Sequence, residues 1–92
     1  MSDSITRIFT VVNEKGLHAR ASAKFVETVE NHDADAIVRK DGLDAAGDSI
    51  MGLLMLAASI GTTIEVETKG DAALDLADAL EGLIASKFGE DS

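Results

Sequence analysis

The sequence predicts an α+β fold with helices laid on one face of an antiparallel sheet, and three observations carry that prediction. Strand-like and helix-like stretches alternate in the order strand, helix, strand, strand, helix, strand, helix. The dipeptide Asp41-Gly42 is a hairpin signal, which makes the strands on either side of it antiparallel. With 92 residues and no linker, repeat or low-complexity segment, residues 1–92 are expected to form one domain, burying roughly two-thirds of the unfolded surface.

Ile5 to Val12 is rich in β-branched residues and runs into Asn13-Glu14-Lys15-Gly16, so it reads as a strand leaving into a turn. From Ala19 to Glu30, Ala19, Ala23, Val26 and Val29 or Glu30 fall near a 3.6-residue spacing, which predicts the first helix. Asn31, His32 and Asp33 interrupt it, and His32, in an acidic turn without a partner motif, is expected to be solvated. Ala34 to Lys40, with Ile37 and Val38, makes a second strand. Leu43 to Ala46 has little β-branching and is assigned as a strand on the turn before it.

Ser49 is placed to cap a short apolar helix through Ile50, Met51, Leu53, Leu54, Leu56 and Ala57, which Gly61 is expected to stop. Gly52 inside it costs about 1 kcal/mol relative to alanine, a sign of close packing or of a short, marginal helix. Thr62 to Thr68 alternates cleanly, with Ile64 and Val66 on one face and Glu65 and Glu67 on the other. Asp71 is then a cap for a last helix whose stripe is Ala73, Leu76, Leu80, Leu83, Ile84 and Phe88. Gly89-Glu90-Asp91-Ser92 reads as a frayed tail.

Composition narrows the function. There is no Cys, hence no disulfide, thiol nucleophile or thiolate metal site. No stretch approaches the roughly 20 apolar residues of a membrane span, and Met1-Ser2-Asp3-Ser4 does not open a leader, so a cytoplasmic protein without a membrane partner is expected. A formal charge of -9 makes nucleic acid an unsuitable partner; the acidity serves solubility, and also suits a partner with a basic groove.

The chemistry concentrates in Gly16-Leu17-His18-Ala19-Arg20, where a loop turns into a helix. The first turn of a helix has unpaired amides and a partial positive charge, so it holds an anion such as phosphate. A neutral imidazole there keeps a lone pair, which makes His18 a candidate phosphoryl carrier. A lone histidine near a turn is more often a surface or capping residue. Arg20, two residues on, adds donors for phosphate oxygens, and its placement against the helix dipole favours function over a solvated arginine.

This stretch resembles the active-site signature of the HPr phosphocarrier proteins of bacterial phosphoenolpyruvate-dependent phosphotransferase systems. Ser49-Ile50-Met51-Gly52-Leu53-Leu54 resembles the segment that carries that family's regulatory serine, at the expected separation. The likeness covers nearly the whole chain. It implies an open-faced β-sandwich, a four-stranded antiparallel sheet covered on one face by three helices. It also implies that His18 accepts a phosphoryl group on Nδ1 from enzyme I, assisted by Arg20, and passes it to an enzyme IIA, in sugar transport or in nitrogen or carbon regulation. Docking through Leu17, Met51 and Leu54, with Ala23, Lys24 and Phe25 nearby, is implied too, as is phosphorylation of Ser49 by an HPr kinase/phosphorylase. The chain would be a carrier in a relay rather than an autonomous enzyme, and needs no cofactor. Many members have proline after the arginine where this chain has Ala21; Ala21-Ser22 is similar to α-proteobacterial and nitrogen-related variants.

Two other readings compete. Asp48-Ser49-Ile50 resembles the site where acyl carrier proteins bear phosphopantetheine, although those are all-helical and the strand patterns here oppose it. A purely regulatory module would use phosphorylation to change partners without passing the group on. The sequence has no metal-ligand cluster, catalytic carboxylate pair or glycine-rich nucleotide loop.

Overall fold

The computed structural model describes residues 4–92. Its elements are β1 (Ile5–Thr10), α1 (Ala19–Glu30), β2 (Asp35–Lys40), β3 (Leu43–Ala46), α2 (Ile50–Met55), β4 (Thr63–Lys69) and α3 (Ala73–Ala85), followed by a 3-10 turn at Lys87–Gly89. Every predicted element is present in the predicted order. The four strands form one sheet in the order β1-β4-β2-β3, all neighbours antiparallel, which is the open-faced sandwich that the family resemblance implies. An all-helical acyl carrier is thereby excluded, and no helix among the described residues is long and apolar enough to cross a membrane.

Period-two alternation sorts the sheet into two faces. Phe9 pairs with Ile64, and Val66 with Val38, on the buried face, where Ala36 and Ala45 leave room for helices. Ile8, Arg39, Glu65 and Glu67 lie on the open face, and Arg39 bonds Glu65 at 3.1 Å and Glu67 at 2.8 Å across the strands. The β2–β3 hairpin turns through Asp41 and Gly42, both with positive φ (51° and 81°), the backbone that Asp-Gly favours in a tight hairpin.

The helices close the core with Phe25, Val26 and Val29 from α1, Leu53 from α2, and Leu76, Leu80 and Ile84 from α3. Several local expectations shift. The buried stripe of α1 is Ala21, Ser22, Phe25, Val26 and Val29: Val26 and Val29 are buried as expected, while Ala19 and Ala23 face solvent and Ala21, Ser22 and Phe25 take their places. The α2 helix ends at Met55 rather than running on toward Gly61, because Ala57 turns left-handed at φ 51°. Ala72, not Asp71, is the N-cap of α3, with no side-chain cap bond. Gly52 is a close approach: a Cβ there would meet Ser49 Oγ at 3.2 Å and the Ala45 side chain at 3.3 Å.

Candidate functional site

The turn after β1 is built to deliver His18 to the start of α1. Gly16 sits at φ +64°, and a Cβ there would come within 2.2 Å of the Ala58 carbonyl oxygen, so only glycine fits. The Leu17 amide donates to that same carbonyl at 2.9 Å, tying the loop to the segment after α2. Inside the turn, fully buried Asn13 donates from Nδ2 to the Gly16 carbonyl at 2.9 Å.

His18 is the N-cap of α1, with φ -76° and ψ -177°. Its Nδ1 accepts from the Arg20 amide at 3.2 Å. An amide can only donate, so Nδ1 carries the lone pair and the network assigns the proton of the neutral ring to Nε2. Nε2 meets Oε2 of Glu90, whose Oε1 accepts from Asn13 Nδ2 at 3.1 Å. Hydrogen bonds from Asn13 first and His18 second hold the Glu90 carboxyl below the ordinary glutamate value. The side chains of His18 and Glu90 are 26% and 13% exposed, so the pair is sheltered while the ring keeps an open edge.

The tail is therefore not frayed. Lys87, Phe88 and Gly89 all have positive φ (60°, 56° and 76°) and fold the chain back over α1. Buried Phe88 anchors this strap, and Lys24 Nζ donates to its carbonyl at 2.5 Å. Asn13 Oδ1 is left buried without a hydrogen bond among the described residues; flipping the amide would instead aim that oxygen at two acceptors, the Gly16 carbonyl and Glu90.

Beside His18 lies an open cleft of about 330 Å³ between Lys15, Arg20, Lys24 and the tail residues Glu90 and Asp91. Three of the eight basic residues of a chain with net charge -9 thus line one cleft, together with the acidic Glu90 and Asp91. Arg20 is exposed and forms no ion pair among the described residues, leaving its guanidinium available. Predicted and observed positions diverge for the docking residues. Met51 (69% exposed) and Ala23 are on the surface, and Leu54 is half-buried in a groove shared with Leu17, His18 and Ala57. Phe25 and Leu17 belong instead to the core, at 0% and 4% exposure, because they occupy the buried stripe of α1 and the tied loop. Lys24 is half-buried and committed to the strap.

Ser49 caps α2, its Oγ accepting from the Gly52 amide at 3.0 Å. His32 is not simply solvated: its Nδ1 donates to the Thr28 carbonyl at 2.7 Å, closing the end of α1. The sequence reading missed Asn13, Glu90 and the exposed Met55. Phe88 was the available signal for Glu90, since an apolar residue that continues the α3 stripe keeps the chain packed almost to its end.

Comparison with known proteins identifies the family. The family model described as the PTS HPr component phosphorylation site matches residues 5–86. The chain is 43% identical to the phosphocarrier protein HPr of Cupriavidus necator, over 94% of this chain and 97% of that protein. It is 34% identical to the phosphocarrier protein NPr of Escherichia coli K12, over 96% and 99%. The crystal structure of HPr-C-His from Thermoanaerobacter tengcongensis superposes with a TM-score of 0.91 at 35% identity, covering 96% of this chain and 99% of that one. On these grounds the chain belongs to the HPr family and is a phosphocarrier of the phosphotransferase system.

Proposed function

We propose that His18 is the phosphoryl acceptor, taking the group on Nδ1 from phosphorylated enzyme I and passing it to an enzyme IIA in the cytoplasm. The observation that supports this most directly is the N-cap: Nδ1 holds its lone pair at the positive end of a twelve-residue helix, against the Arg20 amide. The Nδ1 pair forms the nitrogen–phosphorus bond while the donor's bond to phosphorus breaks and its electron pair stays with the donor. The Arg20 amide, freed from Nδ1, and the Arg20 guanidinium then face the phosphoryl oxygens. Leu54 shares a groove with His18, and the exposed Ile50, Met51 and Met55 of the same short helix, with exposed Ala23 on α1, supply the apolar surface on which a partner docks.

Ser49 is proposed as a second, regulatory phosphorylation site for an HPr kinase/phosphorylase, on the strength of the family segment it sits in and its half-buried place beside that surface. The greater identity to an HPr than to an NPr favours the sugar-transport branch over the nitrogen branch.

Incubation with enzyme I, phosphoenolpyruvate and magnesium, read by intact mass, tests the assignment. A phosphate-sized gain that acid removes and that His18→Ala lacks is expected. No gain in the wild type beside an active control carrier overturns the acceptor role.

A further inference from the structure

We propose that Glu90 is a positioning residue for His18: its carboxylate holds the Nε2 proton, so that the Nδ1 lone pair is the one presented to phosphorus. The inference rests on the reading of His18 as the acceptor. A neutral imidazole in water exchanges its proton between both nitrogens, and only the form protonated on Nε2 can be phosphorylated on Nδ1. Here the selection is made from both sides. The Arg20 amide claims the Nδ1 pair, and the Glu90 carboxylate takes the Nε2 hydrogen.

Glu90 is itself held. Asn13 donates to its second oxygen at 3.1 Å, and the carboxyl is largely sheltered from water. The strap that carries it is pinned by buried Phe88, by Lys24 on the Phe88 carbonyl, and at its end by Ser92 Oγ donating to Glu14 at 3.2 Å. A carboxylate behind a histidine that is oriented by a third group is the arrangement that fixes ring tautomer and rotation in metal sites and in hydrolase triads.

The charge balance gives Glu90 a role in both transfers. When Nδ1 forms its bond to phosphorus and the donor departs with its electron pair, Nε2 keeps its proton and the ring becomes an imidazolium. That positive charge develops against the Glu90 carboxylate, while Lys15, Arg20 and Lys24 line the cleft where the phosphoryl oxygens collect and Asp91 lies at its rim. On onward transfer the bonding pair returns to Nδ1 and a neutral imidazole leaves. A ring stripped of its Nε2 proton would have to depart as an imidazolide, a far poorer leaving group.

Nitrogen-15 NMR of the unphosphorylated wild type, Glu90→Ala and Glu90→Gln, with His18→Ala to assign the ring signals, tests the inference alongside rates of phosphoryl acceptance. The wild-type ring should show a pyridine-like Nδ1 and a pyrrole-like Nε2. Glu90→Ala should draw the two signals together and slow acceptance about tenfold, the scale at which removing a histidine's carboxylate partner is felt. Glu90→Gln, whose amide oxygen still accepts from Nε2–H, should restore the ring signals and leave acceptance between the two. Rescue of this kind separates positioning from loss of strap packing. Wild-type ring signals and rate in Glu90→Ala overturn the inference, as does a ring already averaged in the wild type. Failure of His18 as acceptor shows separately, as a wild type that gains no phosphate, and the ring signals still decide the role of Glu90.

Discussion

Two helices of this protein, α1 and α2, begin in the same way and differ in everything around the cap. Each first turn is satisfied by a side chain of the preceding residue, the imidazole of His18 in one case and the hydroxyl of Ser49 in the other. Around His18 stand Arg20, Lys15 and Lys24, with the Glu90 carboxylate behind the ring and twelve residues of helix below it. Around Ser49 stand Asp48 and the exposed apolar side chains of Ile50 and Met51, on a helix of six residues. On the proposed reading a cap becomes a site of phosphoryl chemistry through its electrostatic surroundings: the first is placed to hold an anion, and the second borders an apolar surface beside which an added anion would disfavour docking.

Removing the cation from the first cap should break the comparison most severely. Arg20→Ala is expected to slow phosphoryl acceptance about a hundredfold, the scale of losing one preorganised donor at a developing charge. Folding stability should hold or rise by about 0.3–1 kcal/mol, because a cation leaves the positive end of a helix. Mass-detected time courses with enzyme I, paired with urea unfolding, read both. An unchanged rate would leave the helix amides carrying the phosphoryl group alone.

The second cap is sharpened by a pair of substitutions. Ser49→Asp keeps an N-capping side chain but places a permanent charge beside Met51, and should raise the KM for enzyme I about tenfold, as roughly 1.4 kcal/mol of lost docking would. Ser49→Ala should leave that KM alone and cost about 1 kcal/mol of stability from the lost cap. Unchanged phosphoryl acceptance in Ser49→Asp would remove the regulatory reading and leave Ser49 as a cap only.

What the sequence reveals and what it hides divides along the same line. Both caps were legible because a cap is local: His18 and Ser49 each stand immediately before a run with helical spacing, and Arg20 is only two residues away. The hairpin was legible from Asp41-Gly42, even though Leu43–Ala46 has few strand-forming residues. Glu90 was not, since it meets His18 across 72 residues of chain through a left-handed turn that only one glycine hints at. Leu17 and Phe25 were misplaced for a related reason. A docking residue and a core residue can be the same apolar type; the phase of α1 is what covers Phe25, and the tie of the loop to Ala58 is what covers Leu17.

The smallest effect concerns acid, and it compares the site with the open face of the sheet. Glu90 and Glu67 both have pKa values lowered from the ordinary 4.5, Glu90 by Asn13 and then His18, Glu67 chiefly by the hydrogen bond from Arg39. A folded-state pKa below the unfolded one means that the unfolded chain binds more protons, so each carboxylate stabilises the fold fully above about pH 4.5 and progressively less as pH falls through its folded value. Glu67→Gln should flatten the acid limb of stability, followed by urea unfolding between neutral pH and the onset of acid unfolding, without touching the His18 ring. At neutral pH its ring signals and its rate of phosphoryl acceptance should match the wild type, because the Arg39–Glu67 pair lies on the open face of the sheet and His18 caps a helix packed on the other. Altered ring signals in Glu67→Gln at neutral pH would mean that the open face and the site are coupled through the sheet, and that the two lowered carboxylates do not act independently.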